Sequence, residues 1–210
     1  MLLDIAPAHK RLTLPLLKGY LYPLVHTHSP FARAGRTYFY DSLVGKQTLI
    51  LQNNIKMSLK LLNLLLADDD KDDCLFFKDA LEELPASTHL ATVHNGEQLM
   101  QLLTKQTIEL PDVLFLDLNM PRKNGFECLS EIKLNKKLKQ LPVIIFSTSL
   151  EQEVVNLLYE NGAQYYIRKP ADFSQLKKVI QQALTLIAQE NISQPARENF
   201  VLTVQNSLVI

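Results

Sequence analysis

Carboxylate, hydroxyl and ammonium side chains follow the ends of four apolar runs in this sequence. They are Asp68 and Asp69, Asp117, Ser147, and Lys169. In an open parallel α/β sheet, ligands bind beyond the carboxyl ends of the strands, so we expect these five side chains to meet at one edge. A single aspartate after a strand is usually a turn or helix-capping residue, which is the role we assign to Asp70. Five such groups on one edge indicate a reactive site.

The residue types at this edge suit phosphoryl transfer assisted by a divalent cation. Three carboxylates in one pocket repel each other by roughly 1–4 kcal/mol per pair at about 4 Å. A hard cation such as Mg²⁺ (or Mn²⁺) removes that repulsion. With the cation present, Asp117 can attack phosphorus as an oxygen nucleophile. Lys169 supplies a positive charge, and the hydroxyl of Ser147 a hydrogen bond, to the phosphoryl oxygens.

Five short apolar runs alternate with five helical patterns and must position these side chains. The runs cover residues 61–67, 89–93, 113–118, 142–146 and 164–167. Continuous apolar runs of this length are typical of strands covered on both faces. Their alternation with helices predicts βαβ units, so the fold class is α/β, a doubly wound parallel sheet with five strands and five helices.

Polar residues followed three positions later by glutamate or glutamine mark the predicted helix starts. They are Asn95 with Gln98, Asn124 with Glu127, Thr148 with Glu151 or alternatively Ser149 with Gln152, and Asp172 with Gln175. We therefore expect the second to fifth helices to begin at these residues.

The composition argues against several classes of function. The 210 residues include 22 basic and 22 acidic side chains, which disfavours a nucleic-acid footprint over the whole chain. Glycine is scarce in the patterned region, and neither a G-x-G-x-x-G nor a P-loop motif is present. No apolar run reaches the roughly 18–20 residues of a membrane helix. Cys74 and Cys128 lack C-x-x-C spacing, so we predict two buried, reduced thiols in a cytoplasmic protein.

The first 56 residues differ from the rest of the chain. They carry seven basic and two acidic side chains, and prolines interrupt every helical pattern. We interpret residues 1–56 as a poorly patterned basic extension, either translated upstream of a true start at Met57 or a genuine basic arm. Residues 57–190 form the predicted domain, and residues 191–210 form an extended C-terminal tail.

The sequence resembles the receiver domain of two-component response regulators over roughly residues 61–189. The matching segments are Leu65-Leu66-Ala67-Asp68-Asp69-Asp70, Leu116-Asp117-Leu118-Asn119-Met120-Pro121 with Asn124-Gly125, Ile145-Phe146-Ser147-Thr148, and Lys169-Pro170. The spacings also match, with thirty residues from Asp117 to Ser147 and fifty-two from Asp117 to Lys169. The resemblance implies a flavodoxin-like sheet with strand order 2-1-3-4-5.

The resemblance implies a role for each residue at the reactive edge. Asp117 is implied to accept a phosphoryl group from a phosphohistidine of a sensor histidine kinase. Asp69, Asp117 and the backbone carbonyl of Asn119 are implied to bind Mg²⁺ directly, and Asp68 through water. Lys169 is implied to contact the phosphoryl group.

A conformational switch is also implied by the resemblance. Phosphorylation adds about −1.5 to −2 charge. Ser147, which stands where threonine is commoner in the family, is implied to move towards the new oxygens, and Tyr166 to follow inward. The surface built from the fourth helix, fifth strand and fifth helix then changes its partner preference. The family pattern further implies a cis peptide before Pro170.

We predict a single-domain response regulator rather than an enzyme, although it assists its own Mg²⁺-dependent phosphorylation and dephosphorylation. Only about twenty residues follow the last predicted helix, too few for an output module. The acidic run after the first strand resembles the single-domain subgroup that includes phytochrome-associated regulators. The expected partners are a sensor histidine kinase or phosphotransfer protein and a downstream protein target, with no nucleic acid and no membrane. The sequence leaves open whether the protein forms a homodimer through the surface built from the fourth helix, fifth strand and fifth helix.

Three other interpretations are weighed against this one. A haloacid dehalogenase-type phosphohydrolase also uses a strand-end aspartate, but it needs an acid two residues later, where this chain has Asn119. A DNA-binding regulator would use the basic arm 1–56, which lacks a helix-turn-helix pattern. A degenerate receiver would bind partners without phosphorylation, and the presence of all five reactive side chains disfavours it.

Overall fold

The secondary structure follows the predicted alternation of strands and helices. The computed structural model describes residues 61–105, 109–189 and 193–203. The strands are β1 (Leu62–Ala67), β2 (Thr88–Val93), β3 (Val113–Leu116), β4 (Val143–Ser147), β5 (Tyr165–Arg168) and β6 (Val201–Leu202). The α-helices are α1 (Lys71–Glu82), α2 (Gly96–Thr104), α3 (Gly125–Leu134), α4 (Gln152–Glu160) and α5 (Phe173–Ala188). A 3₁₀ helix covers Arg197–Asn199. The predictions about a start at Met57 and a DNA-binding arm lie outside the described residues.

All six strands are parallel and form one sheet in the order β2-β1-β3-β4-β5-β6. The predicted order of the first five strands is confirmed. The prediction of five strands was one short, because β6 has only two residues and its apolar pattern is too brief to predict a strand. Tertiary pairing forms it, with Val201 opposite Tyr166 and Leu202 opposite Ile167 of β5.

Successive residues of the strands point into two separate core layers. In β1, Leu65 and Ala67 pack with apolar residues of α2, α3 and α4, whereas Leu64 and Leu66 pack with those of α1 and α5. Both faces of the sheet are therefore buried under helices. This explains why the strands are continuous apolar runs and not alternating ones.

Three of the four predicted helix starts are made as the sequence indicates. The Asn124 side chain accepts a hydrogen bond from the backbone N–H of Glu127, whose side chain returns to the N–H of Asn124. Asp172 and Asn95 likewise cap α5 and α2 through their side-chain oxygens. These caps satisfy amide groups that would otherwise lack a partner in the first helical turn.

The predicted start of α4 at Thr148 or Ser149 was wrong. The helix begins at Gln152, and its N-cap residue, Glu151, makes no side-chain capping bond. The hydroxyl of Tyr166 donates a hydrogen bond to the carbonyl of Ser149. This bond holds Ser149 in the loop after β4, so the helix starts later.

The expectation of a cis peptide bond before Pro170 was also wrong. The described part of the chain contains no cis peptide bond. Trans is the more stable isomer of X–Pro bonds by about 0.5–1 kcal/mol. The adjoining backbone is held by a 2.8 Å hydrogen bond from the N–H of Lys169 to the carbonyl of Ser147, across β5 and β4.

Residues 193–203 of the C-terminal tail pack along β5 and α4. Phe200 is 1% exposed, and its ring centroid lies 5.1 Å from that of Tyr159 and 6.4 Å from that of Tyr166. The Tyr159 hydroxyl donates to the carbonyl of Pro195 at 3.0 Å. These tail residues thus cover part of the surface formed by α4, β5 and α5, through which a homodimer was considered.

The two cysteines are buried and free, as predicted. Burial is the main reason why the pKa of Cys74 and of Cys128 is raised to about 11, so both thiols stay protonated near neutral pH. None of the described helices combines the length and apolar character needed to cross a membrane.

Candidate functional site

The ends of β1, β3 and β5 bring two aspartates and a lysine together. The Nζ atom of Lys169 lies 2.7 Å from Oδ2 of Asp68 and 3.2 Å from Oδ1 of Asp117. Asp117 is held in place by its N–H, which donates to the carbonyl of Ala67 at 2.9 Å. Neighbouring parallel strands therefore align the two carboxylates, and the long lysine side chain reaches both.

Backbone amides orient both carboxylates. Oδ2 of Asp117 accepts a 2.6 Å hydrogen bond from the N–H of Asn119, which leaves Oδ1 facing Lys169. Oδ1 of Asp68 accepts a 3.1 Å hydrogen bond from the N–H of Asp70, and its Oδ2 faces the same lysine. Each aspartate thus has one oxygen held by the local loop and one pointing into a shared space.

Burial and the contacts with Lys169 together shift the pKa values of this cluster. Asp68 is 1% exposed, and burial raises the pKa of its carboxyl group, while the hydrogen bond from Lys169 partly offsets that rise. Burial alone would lower the pKa of Lys169. The hydrogen bonds from Lys169 to Asp68 and Asp73 and the nearby charge of Asp117 outweigh it, so the pKa is raised. Lys169 therefore carries its positive charge at neutral pH.

The two residues assigned to the switch come from neighbouring strands, Ser147 from the end of β4 and Tyr166 from within β5. Ser147 is fully buried, and its Oγ makes no hydrogen bond of standard geometry with any described residue. Tyr166 is also fully buried, so its ring already lies inside the domain. Burial raises the pKa of the Tyr166 hydroxyl, and the nearby hydroxyl of Ser147 partly offsets that effect.

Three residues of the site have no assigned role in the sequence analysis. Oδ2 of Asp73 lies 2.8 Å from Nζ of Lys169. Nδ1 of His94 lies 3.0 Å from the carbonyl oxygen of Asp68, and the ring of Phe146 lies under the lysine with its centroid 5.4 Å from Nζ. The sequence could have indicated Asp73, because it lies in the first turn of a helix that starts at the reactive edge.

The oxygen donors of the site fit a hard divalent cation in kind. Asp68, Asp117 and the exposed Asp69 offer carboxylate oxygens, and the loop through Asn119 offers a carbonyl. Within residues 61–105, 109–189 and 193–203, however, no three His, Cys, Asp or Glu side chains are grouped as a metal site. The ammonium of Lys169 lies between Asp68 and Asp117 and compensates their charge in this structure.

Known proteins are similar to more than half of this sequence. Residues 64–181 match the family described as the response regulator receiver domain. The response regulator Rcp1 of Synechocystis sp. is 32% identical over 122 residues, which cover 56% of this chain and 83% of that protein. The probable C4-dicarboxylate response regulator DctR of Bacillus subtilis is 33% identical over 125 residues, which cover 60% of this chain and 53% of that protein.

Solved structures share the fold as well. The crystal structure of the Mn²⁺-bound form of Rcp1 matches with a TM-score of 0.57 and 30% identity, over 64% of this chain and 99% of that one. The phosphorylated cyanobacterial phytochrome response regulator RcpA matches with a TM-score of 0.54 and 30% identity, over 65% of this chain and 98% of that one.

Proposed function

The chain belongs to the response regulator receiver domain family, and on that premise we propose that Asp117 accepts a phosphoryl group from a phosphohistidine of a sensor histidine kinase or phosphotransfer protein. Members of this family act in phosphorylation-based signalling. The observation that carries the choice of residue is the position of Asp117 at the end of β3, with its Oδ1 3.2 Å from Nζ of Lys169. The proposed receiver domain spans residues 57–190.

A divalent cation is part of the proposal. Receiver domains bind divalent metals, and the similar protein Rcp1 has been solved in a Mn²⁺-bound form. In this chain Asp69, Asp117 and the backbone carbonyl of Asn119 would hold Mg²⁺ or Mn²⁺ directly, and Asp68 through water. When bound, the cation neutralises phosphoryl oxygens and removes the repulsion among the carboxylates.

The transfer itself needs one nucleophilic oxygen and two hydrogen-bond donors from this chain. An oxygen of Asp117 forms a bond to phosphorus while the P–N bond of the phosphohistidine breaks. The electron pair of that bond stays on the imidazole nitrogen, which then takes a proton. Lys169 donates to one phosphoryl oxygen and the hydroxyl of Ser147 to another. Ser147 ends β4, which neighbours β3, and Lys169 follows β5, one strand further along the sheet.

The output of the phosphorylated domain is proposed to be a protein contact. Movement of Ser147 towards the phosphoryl oxygens acts on the loop after β4, whose Ser149 carbonyl accepts the hydrogen bond from Tyr166. The ring of Tyr166 in turn packs against Phe200 of the tail. The surface formed by α4, β5 and α5, together with the tail on it, is therefore the place where a downstream protein or a second copy would read the phosphorylation state.

The proposal is tested by labelling with acetyl phosphate and Mg²⁺. We expect wild type and Asp79→Asn, which removes an exposed carboxylate on α1 away from the site, to form a hydroxylamine-labile phosphoprotein. Asp117→Asn should form none, since an amide oxygen is a poor nucleophile. Equal labelling of Asp117→Asn would show that another residue is the acceptor, and mass spectrometry of the labelled peptide would identify it.

A further inference from the structure

The ammonium of Lys169 is shared by three carboxylates, and the site as proposed uses only two of them. Nζ lies 2.7 Å from Oδ2 of Asp68, 2.8 Å from Oδ2 of Asp73 and 3.2 Å from Oδ1 of Asp117. Asp73 comes from the first turn of α1 and reaches the lysine from outside the row of strand ends. Its contact with Lys169 joins residues 96 positions apart in the sequence.

Lysine has three N–H donors and no acceptor. Two of them are donated to Asp68 and Asp73, which leaves one facing Asp117 at 3.2 Å. A phosphoryl group on Asp117 that takes a second N–H of Lys169 must therefore displace Asp68 or Asp73. Asp68 is the least suitable to give up its bond, because its side chain is 1% exposed and an unpaired buried charge is costly. The side chain of Asp73 is 40% exposed, so water can replace the lysine there at little cost.

We propose that Asp73 is a positioning residue that holds the ammonium of Lys169 at the mouth of the pocket and competes for it with the phosphoryl group on Asp117. The inference rests on the proposed function, since it assumes a phosphoryl group at Asp117. Asp73 then weakens the hold of the pocket on that group in two ways: it occupies one donor of Lys169, and it places a further negative charge beside the phosphoryl oxygens.

The chain offers a matched control for this competition. Asp72 is the neighbouring carboxylate in the same helical turn, is exposed, and forms no ion pair with another described residue. Asp72→Asn and Asp73→Asn therefore remove the same charge from the start of α1 and lose the same interaction with the helix dipole. Only Asp73→Asn removes a partner of Lys169.

The test measures binding of beryllofluoride, a phosphoryl mimic, with Mg²⁺ by isothermal titration calorimetry. We expect Asp73→Asn to bind it about two- to five-fold more tightly than wild type, because a partly exposed ion pair is worth up to about 1 kcal/mol. Asp72→Asn should stay close to wild type. In the metal-free protein, ¹⁵N NMR should show faster solvent exchange of the Lys169 Nζ protons in Asp73→Asn than in Asp72→Asn.

The other outcomes separate a failure of this inference from a failure of the proposed function. Equal tightening in the two variants would overturn the inference, since only general charge would then matter. Weaker binding by Asp73→Asn, or equal Nζ exchange in the two variants, would overturn it as well. If wild type bound no beryllofluoride, or if Asp117→Asn bound it equally well, the proposed function would fail and the inference with it.

Discussion

Replacing Gly125 by alanine is expected to disturb both the fold and the Asp117 site. Gly125 begins α3, and its N–H donates to the carbonyl of Leu118 at 2.9 Å. A Cβ atom at position 125 would lie 2.2 Å from the carbonyl oxygen of Asp117 and 2.8 Å from Cα of Leu118. Both are backbone atoms of the segment that presents the proposed acceptor, so no side-chain rotation can relieve the overlap.

The size of the effect follows from these distances. Moving the new Cβ from 2.2 Å to an ordinary contact of 3.4 Å from the Asp117 oxygen requires a separation of 1.2 Å more. Overpacking of this kind usually costs about 1–3 kcal/mol, and we expect about 3 kcal/mol here because backbone must move. A displacement of about 1 Å can also lower a reaction rate about 10²-fold. We therefore expect slower labelling by acetyl phosphate even in the folded fraction of Gly125→Ala.

Gly162→Ala is the matched comparison. Gly162 has a φ of +82°, but the nearest atoms to its added Cβ are side-chain carbons of Lys133 at 3.6 Å. Gly162→Ala should therefore lower the free energy of unfolding only by the roughly 1–2 kcal/mol that an alanine in a left-handed backbone conformation costs, and the labelling rate should be unchanged. Urea denaturation and initial labelling rates of both variants decide the matter. The reasoning is refuted if Gly125→Ala is destabilised no more than Gly162→Ala and is labelled at the wild-type rate.

Two further predictions concern the tail and the buried carboxylate. Phe200→Ala should weaken the packing of the tail on the domain by about 3 kcal/mol. The amide of Tyr166 donates to the carbonyl of Phe200 at 2.9 Å, so it should exchange with deuterium much faster, while amides of β1 keep their protection. Equal acceleration in β1 would contradict a local effect. Because burial raises the pKa of Asp68 above the ordinary value of 3.8, its ionised form is disfavoured in the fold, and stability is lost as pH rises through the folded pKa. The melting temperature of Asp68→Asn relative to that of wild type, both without metal, should therefore rise from pH 4 to pH 8, whatever constant loss the missing hydrogen bond to Lys169 causes. A relative melting temperature that stays level or falls over this range would refute the prediction.

The strands, the helices and the main caps could be predicted because they depend on local residue patterns, whereas the strand order followed only from the family resemblance. The run at 113–118 is apolar because β3 is covered on both faces. The capping box of α3 is likewise local, because Asn124 and Glu127 lie within four residues of each other. The fully buried position of Tyr166 could not be read in this way. It depends on Phe200 and on the Ser149 carbonyl, which lie far along the chain on either side.

The proposed site shows the same division. The aspartates and the lysine stand at strand ends, and the geometry of a parallel sheet brings strand ends together. The part played by Asp73 depends on the path of one long side chain across the pocket, which no sequence spacing describes. The trans peptide before Pro170 was likewise missed because the family pattern was carried over in place of the local preference of the bond.

Strand β6 also bears on self-association through the sheet. An edge strand presents unpaired N–H and C=O groups to which a strand of another molecule can add. Here the tail of the same molecule takes the outer side of β5, pairing Val201 with Tyr166 and Leu202 with Ile167. In the part of the chain that the structure describes, the new edge strand is only two residues long, too short to serve as a template for a further strand. By pairing with β5, β6 therefore occupies the backbone groups of Tyr166 and Ile167 that a strand of another molecule would otherwise use.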